Sequence, residues 1–308
     1  MAISGSAKGI LVFAALALLA LALAGFITGA IGAAFFDRES FLPTPGVHLA
    51  PQEILGDNPG HELKEGGFDF VVTNTILSSL VTSVVLILLF VLGTSRMKLV
   101  PGRLQGLLES IVEALLSFVE SVMGAGKGRG IFPLAATIFF FVAFNSWLAL
   151  IPIYQSFGVI KDDKIYATFL RPAGTDLNMP LALALISFFV VEYLGFRAHG
   201  VGYLGEFIRF GNLLRGRILT GLIDLFVGVL EAVSHMVRVV SFTFRLFGNM
   251  TAGEILLLVT SFLVTFIFSV PFYGLELMVG LIQGVIFAAL TVVFAAIAVA
   301  PHEAEGEH

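Results

Sequence analysis

Arg245, Asn249 and Glu254 stand within VVSFTFRLFGNMTAGEILLLV, residues 239–259, one of the most apolar stretches of the chain. A guanidinium keeps its proton at any ordinary pH and supplies a fixed positive field, whereas a carboxylate can take up and release one. That combination suits the handling of ions better than bond-breaking chemistry. At about 100° per residue, Glu231, His235, Arg238, Arg245 and Asn249 fall within a helical arc of roughly 80°. Ser234 and Ser241 flank this arc, and Glu254 points about 180° away from Arg245. Glu276 and Gln283 are seven residues apart and share a face of a later apolar segment. An ionisable side chain at bilayer depth costs about 2.5–3.5 kcal/mol on insertion scales, so such a set must face water, a partner or one another. For Glu231 and Arg238, interhelical hydrogen bonds and snorkelling ends are the alternative. Arg245 has no carboxylate three or four residues away on its own helix. Its natural partner is therefore elsewhere.

Other chemistries are excluded or poorly supported. There is no cysteine, which removes disulfides, thiolate metal sites and thiol nucleophiles. His302 and His308 do not form an HExxH pair, and no metal or cofactor is implied. GAGKGRG, residues 124–130, lacks phosphate-loop spacing and follows no strand, so it reads as a flexible basic turn. Asn249-Met250-Thr251 matches a glycosylation sequon only formally, because it lies inside a membrane helix. A net charge of −5 gives no sign of nucleic-acid binding.

The elements that must hold these residues follow from hydropathy. The 308 residues are 57% hydrophobic and 13% charged, with a mean hydropathy of +0.99, whereas soluble domains carry about 25% charge. The expected fold class is an all-α integral membrane protein. Residues 1–36 resemble a leader, with Lys8 and an Ala22-Leu23-Ala24 site, but the apolar run continues to Phe36. It reads as an uncleaved anchor helix. An outer acidic loop is expected over 37–69, spans over about 70–93, 131–153 and 177–196, and an amphipathic interfacial helix over about 103–123. Arg96, Lys98 and Arg103 mark a cytoplasmic end, as do Arg197, Arg209, Arg215 and Arg217 farther on. Both termini then lie inside.

From Ile218 to Phe268 no proline interrupts the chain. That is roughly 75 Å of helix against about 30 Å of hydrocarbon. Such a helix must bend or tilt, by roughly 65° where 0–40° is usual. Pro271 is expected to end it, with a returning helix over about 273–300.

RLFGNMTAGE together with GLIQGVIFAALTVVF closely resembles subunit a of the bacterial rotary F-type ATP synthase. The resemblance runs from about residue 70 to the C-terminus and includes VPGRLQGLLESIVE, PLAATIFFFVAFNSWLALIP, PAGTDLNMPLALAL and EAVSHMVRVVSFTFRLFGNM. It implies a steeply tilted hairpin against a ring of c subunits, b subunits of a peripheral stalk as further partners, and a bacterial plasma membrane. It implies a proton-translocating, non-catalytic stator subunit that binds no nucleotide. Arg245 matches the essential stator arginine. Glu231, Asn249, Glu254, Glu276 and Gln283 match positions lining aqueous half-channels or the ring-facing surface. His235, Arg238 and Ser241 join the channel lining, and Asp176 and Asn178 match polar residues near the access path. Residues 1–36 have no counterpart in many members, Asn145 and Ser146 share the place of a usual asparagine, and Glu276 stands where some relatives carry histidine. Protons are the default ion over sodium. The competing readings are a secondary transporter with Arg245 binding an anion, against which no internal repeat is visible, and a structural scaffold of a membrane complex.

Overall fold

The computed structural model describes residues 5–42, 50–55, 72–151, 154, 158–161, 164–203, 205 and 218–300. Much of the expected outer loop, the cationic Arg209, Arg215 and Arg217, and the tail from 301 lie outside the described residues.

Six described helices are long and apolar enough to cross a membrane. Helix α1 (Gly5–Thr28) is followed by the short α2 (Ala30–Phe35). Strand β1 (Glu53–Leu55) pairs antiparallel with β2 (Val72–Thr73), which leads directly into α3 (Asn74–Thr94). The Thr73 side chain caps α3 by accepting from Ile76 N at 3.3 Å, satisfying one of the donors that a helix start leaves open. Helix α4 (Arg103–Met123) is the amphipathic one. Its Gln105 holds the preceding turn by donating to Lys98 O at 3.0 Å and accepting from Lys98 N at 3.2 Å.

Helix α5 (Ala125–Ala149) starts earlier than expected. GAGKGRG is not a flexible turn. Gly124 alone, at φ 80°, makes the break between α4 and α5, a left-handed angle that glycine adopts without steric penalty. A hairpin of β3 (Gly158–Lys161) and β4 (Lys164–Thr168) precedes a 3₁₀ turn at Ala173–Thr175 and then α6 (Asn178–His199). Helix α7 (Ile218–Leu263) contains 46 residues. A 3₁₀ turn at Phe266–Ser269 joins it to α8 (Val270–Val299). Pro271 therefore begins α8 rather than ending α7. A proline in the first turn loses no helical hydrogen bond, because its missing N–H would have had no partner there.

The core lies where α5 and α8 meet. Val119, Ile131, Ala135 and Phe139 pack against Ala288, Val292, Ala295 and Ala298. Small residues on α8 let the backbones approach. A Cβ at Gly284 would stand 2.9 Å from Phe139 O, and such close approach is how helices gain packing energy where lipid offers no hydrophobic contrast. Phe242, Leu246 and Met250 anchor α7 against Ile138, Val142, Ala184 and Phe287. The last turns of α1 dock on the link between α7 and α8. Thr265 donates from its N to Gly25 O at 3.2 Å, and its hydroxyl lies 2.7 Å from that of Thr28. Farther back, Ile10, Leu11 and Phe13 are exposed, as suits a helix in lipid.

Candidate functional site

Arg245 is half-buried on α7. Leu246 and Phe242 beside it are buried and fix the helix face, and its Cζ is 6.0 Å from the Phe242 ring centroid. Among the described residues it makes no ion pair. One turn on, exposed Asn249 donates from Nδ2 to Gln283 Oε1 of α8 at 2.9 Å. Gln283 Nε2 is buried with no protein partner among the described residues. Ser241, one turn before Arg245, is exposed. Arg245, Asn249 and Gln283 thus form one polar patch spanning α7 and α8.

Toward the end of α7 lies an acidic cavity of about 320 Å³, lined by Ser146, Met250, Glu254, Leu258, Tyr273 and Glu276 among others. At 1.5 Å per residue, Glu254 is roughly 13 Å along the axis from Arg245. Both carboxylates lean into this space, and the Glu276 carboxylate occupies the position that a side chain at Gly253 would fill. Glu254 does not simply face Glu276. Its Oε2 accepts from Arg171 Nε at 3.2 Å and Nη2 at 2.9 Å. Arg171 also donates from Nη1 to Ala50 O at 3.1 Å, and its backbone N donates to Ser78 Oγ at 2.9 Å. A buried cation needs this many acceptors, since an uncompensated charge there is very costly.

Asp176 and Asn178 do not line the cavity. Asp176 is buried; its Oδ2 accepts from Thr75 Oγ1 at 2.8 Å, and its Oδ1 accepts from Asn178 N at 3.0 Å. It ties α3 to the start of α6. Asn145 and Ser146 divide their work. Asn145 Oδ1 accepts from Ala173 N at 3.4 Å and holds the turn before α6, while Ser146 lines the cavity.

The other end of the α7 stripe has a second cluster, where Glu231 is roughly 21 Å along the axis from Arg245. His235 turns inward, its Nδ1 lying 2.6 Å from Glu192 Oε1 of α6. Its Nε2 lies 3.5 Å from Glu231 Oε1. Arg238 Cζ stands 3.6 Å above the Phe294 ring centroid, a cation–π contact that satisfies the guanidinium partly through α8.

Arg171 and Glu192 were missed in the sequence-based expectations, although each carries a signal. Arg171 is a cation just before α6, at the end opposite Arg197, and the charge rule expects cations to gather at one side. Glu192 is a lone acid in ISFFVVEYLGF, and an ionisable residue within a span points to function or to a partner.

A family model described as ATP synthase A chain matches residues 76–296. The chain is 33% identical over 224 residues to ATP synthase subunit a of Helicobacter acinonychis (strain Sheeba), covering 72% of this chain and 88% of that protein. It is 30% identical over 221 residues to ATP synthase subunit a of Sulfurihydrogenibium sp. (strain YO3AOP1), covering 72% and 94%. It is 32% identical over 223 residues to ATP synthase subunit a of Campylobacter curvus (strain 525.92), covering 72% and 88%. Helix α1 lies outside the segment that the family model matches.

Proposed function

The chain belongs to the ATP synthase A chain family, and from that premise we propose how its residues move protons. It is a multi-pass, non-catalytic, proton-translocating membrane subunit of an F-type ATP synthase. In our reading it is the stator against which a c-ring turns, with b subunits of the stalk beside it. Its residues 70–308 form the channel domain, behind an extra anchor of residues 1–36 and an outer loop of 37–69. It sits in a bacterial plasma membrane with both termini in the cytoplasm. The charge rule supports that orientation, since Arg96, Lys98, Arg103 and Arg197 cluster at one end of the spans.

The observation that carries the mechanism is that Arg245, with no ion pair among the described residues, stands between two acidic clusters on the same helix. A ring carboxylate facing lipid stays protonated because desolvation disfavours its charge. Brought to about 4 Å from Arg245, it gains roughly 4 kcal/mol of attraction at an effective dielectric near 20. That corresponds to about three pKa units, enough to discharge the proton. Arg245 itself stays charged and blocks direct leakage between the two sides. The Glu254–Glu276 cavity serves as the outer half-channel, with Asn249 and Gln283 leading to the ring. Glu231, His235, Arg238 and Ser241 line the inner one, while Asp176 and Asn178 hold the outer entrance in shape. Each proton falling through 100 mV yields about 2.3 kcal/mol, so several must be summed per ATP.

Arg245→Ala in membrane vesicles should abolish ATP synthesis and ATP-driven proton pumping with the complex still assembled. A variant that still made ATP under a proton gradient would end this reading.

A further inference from the structure

Glu192 has no role in the mechanism above, yet it is one of the most enclosed acids among the described residues. Its side chain is 13% exposed, and that of its partner His235 is 11% exposed. The second ring nitrogen of His235 faces Glu231, whose side chain is 50% exposed. The imidazole therefore stands between an enclosed carboxylate on α6 and an open one on α7. A carboxylate that accepts from Nδ1–H fixes one neutral tautomer, with the lone pair left on Nε2. That lone pair points to the side where Glu231 stands.

We propose that Glu192 is a positioning residue that holds His235 as the proton acceptor for Glu231 in the inner half-channel. The inference rests on the reading of Glu231 as a residue of that half-channel. The protonated Glu231 carboxyl gives its proton to His235 Nε2: an O–H bond breaks, an N–H bond forms, and Glu231 becomes a carboxylate. The imidazolium is then compensated by Glu192 on its far side. Nε2–H passes the same proton to water at the exposed edge beside Glu231, and the neutral ring is restored. Glu192 takes no proton at any step.

The other charged groups around the ring fit this division of work. Arg238, one turn along α7, lies within electrostatic reach of Glu192, Glu231 and Tyr203, and its guanidinium is held over Phe294 of α8. It compensates the resting carboxylates without standing between His235 and Glu231. A tie between α6 and α7 alone would be redundant here, because Ala184 of α6 already packs with Phe242 and Leu246 of α7 in the core.

Glu192→Gln is the informative variant, since it keeps an acceptor of the same shape and removes the charge. Passive proton flux through vesicles stripped of the soluble sector is measured across a pH series. The expected result is normal assembly, flux lowered several-fold, and a displaced pH of half-maximal flux. Glu192→Asp, which keeps the charge and shortens the reach, should fall between wild type and the Gln variant, and carries the test if the Gln variant fails to assemble. His235→Gln should lower flux at least as far, and adding Glu192→Gln to it should change nothing more. Tyr193→Phe, at the next position of α6 with its ring exposed, should leave flux and its pH dependence unaltered. Unchanged flux and pH dependence in Glu192→Gln and Glu192→Asp would overturn the inference, as would a double variant slower than His235→Gln. Unchanged flux in Glu231→Gln would instead sink the half-channel reading itself.

Discussion

Removing one partner of an enclosed ion pair does more harm than removing both, and the Arg171–Glu254 pair offers a direct test. Their side chains are 7% and 14% exposed, so a lone Glu254 would be a nearly buried, uncompensated charge. Arg171→Gln should destabilise the fold by about 3–5 kcal/mol and reduce the amount of chain in the membrane, read by quantitative immunoblot. Arg171→Gln combined with Glu254→Gln should restore that amount while leaving proton flux low. If the double variant were as scarce as the single one, the ion pair would not be the cause. Glu276 gives a second test at this scale, because its carboxylate rests where Gly253 has no side chain. Gly253→Ala alters no ionisable group, yet it must displace that carboxylate. It should slow flux as Glu276→Gln does, with assembly intact in both. Normal flux in Glu276→Gln would remove this acid from the proposed outer half-channel.

Helices in a membrane are held by fit, and α5 and α8 fit closely where Gly284 lies against the Phe139 carbonyl. Overpacking of this kind typically costs about 1–3 kcal/mol. Gly284→Val should therefore lower the temperature at which the detergent-solubilised complex loses this subunit, while a like change at Gly274, where a side chain would meet open space, should not. The existence of these helices was legible in the sequence because an apolar run of span length matches the thickness of a bilayer and suits little else. Their ends were less legible. Pro271 reads equally well as a stop for α7 or a start for α8, and only the turn at Phe266–Ser269 decides for the start. GAGKGRG was expected to be a flexible basic turn, but Gly124 absorbs the break and α5 runs on through the rest. The polar stripe on α7 was legible from its period. Arg171 and Glu192 carry a signal as lone ionisable residues, but their pairing with Glu254 and His235 was not legible, because it is made of contacts between elements that no local pattern contains. The docking of α1 on Thr265 is equally non-local.

At the scale of the whole molecule, the described helices expose broad apolar faces that lipid can cover, and α7 carries a stripe of polar groups that it cannot. Helix α7 has 46 residues, roughly 69 Å at 1.5 Å per residue against about 30 Å of hydrocarbon. On the proposed function, a tilted course would present Ser241, Arg245 and Asn249 sideways to a large partner and bring its two ends to opposite half-channels. The chain has no cysteine, so single cysteines can map that partner on an otherwise unmodified background. Ser241→Cys and Asn249→Cys bracket Arg245 and are exposed. Each should form a disulfide or short cross-link with cysteines placed near the ion-carrying carboxylate of the c subunits. Tyr193→Cys, exposed on α6, should give none. Adducts at Tyr193→Cys and neither α7 position would mean that the ring faces α6. Arg245 would then lack the carboxylate it is held open to meet, and the polar stripe would need water or lipid headgroups as its reason. Adducts at both α7 positions would place the ring's carboxylate within one helical turn of Arg245 on either side, the separation at which its field can discharge a proton.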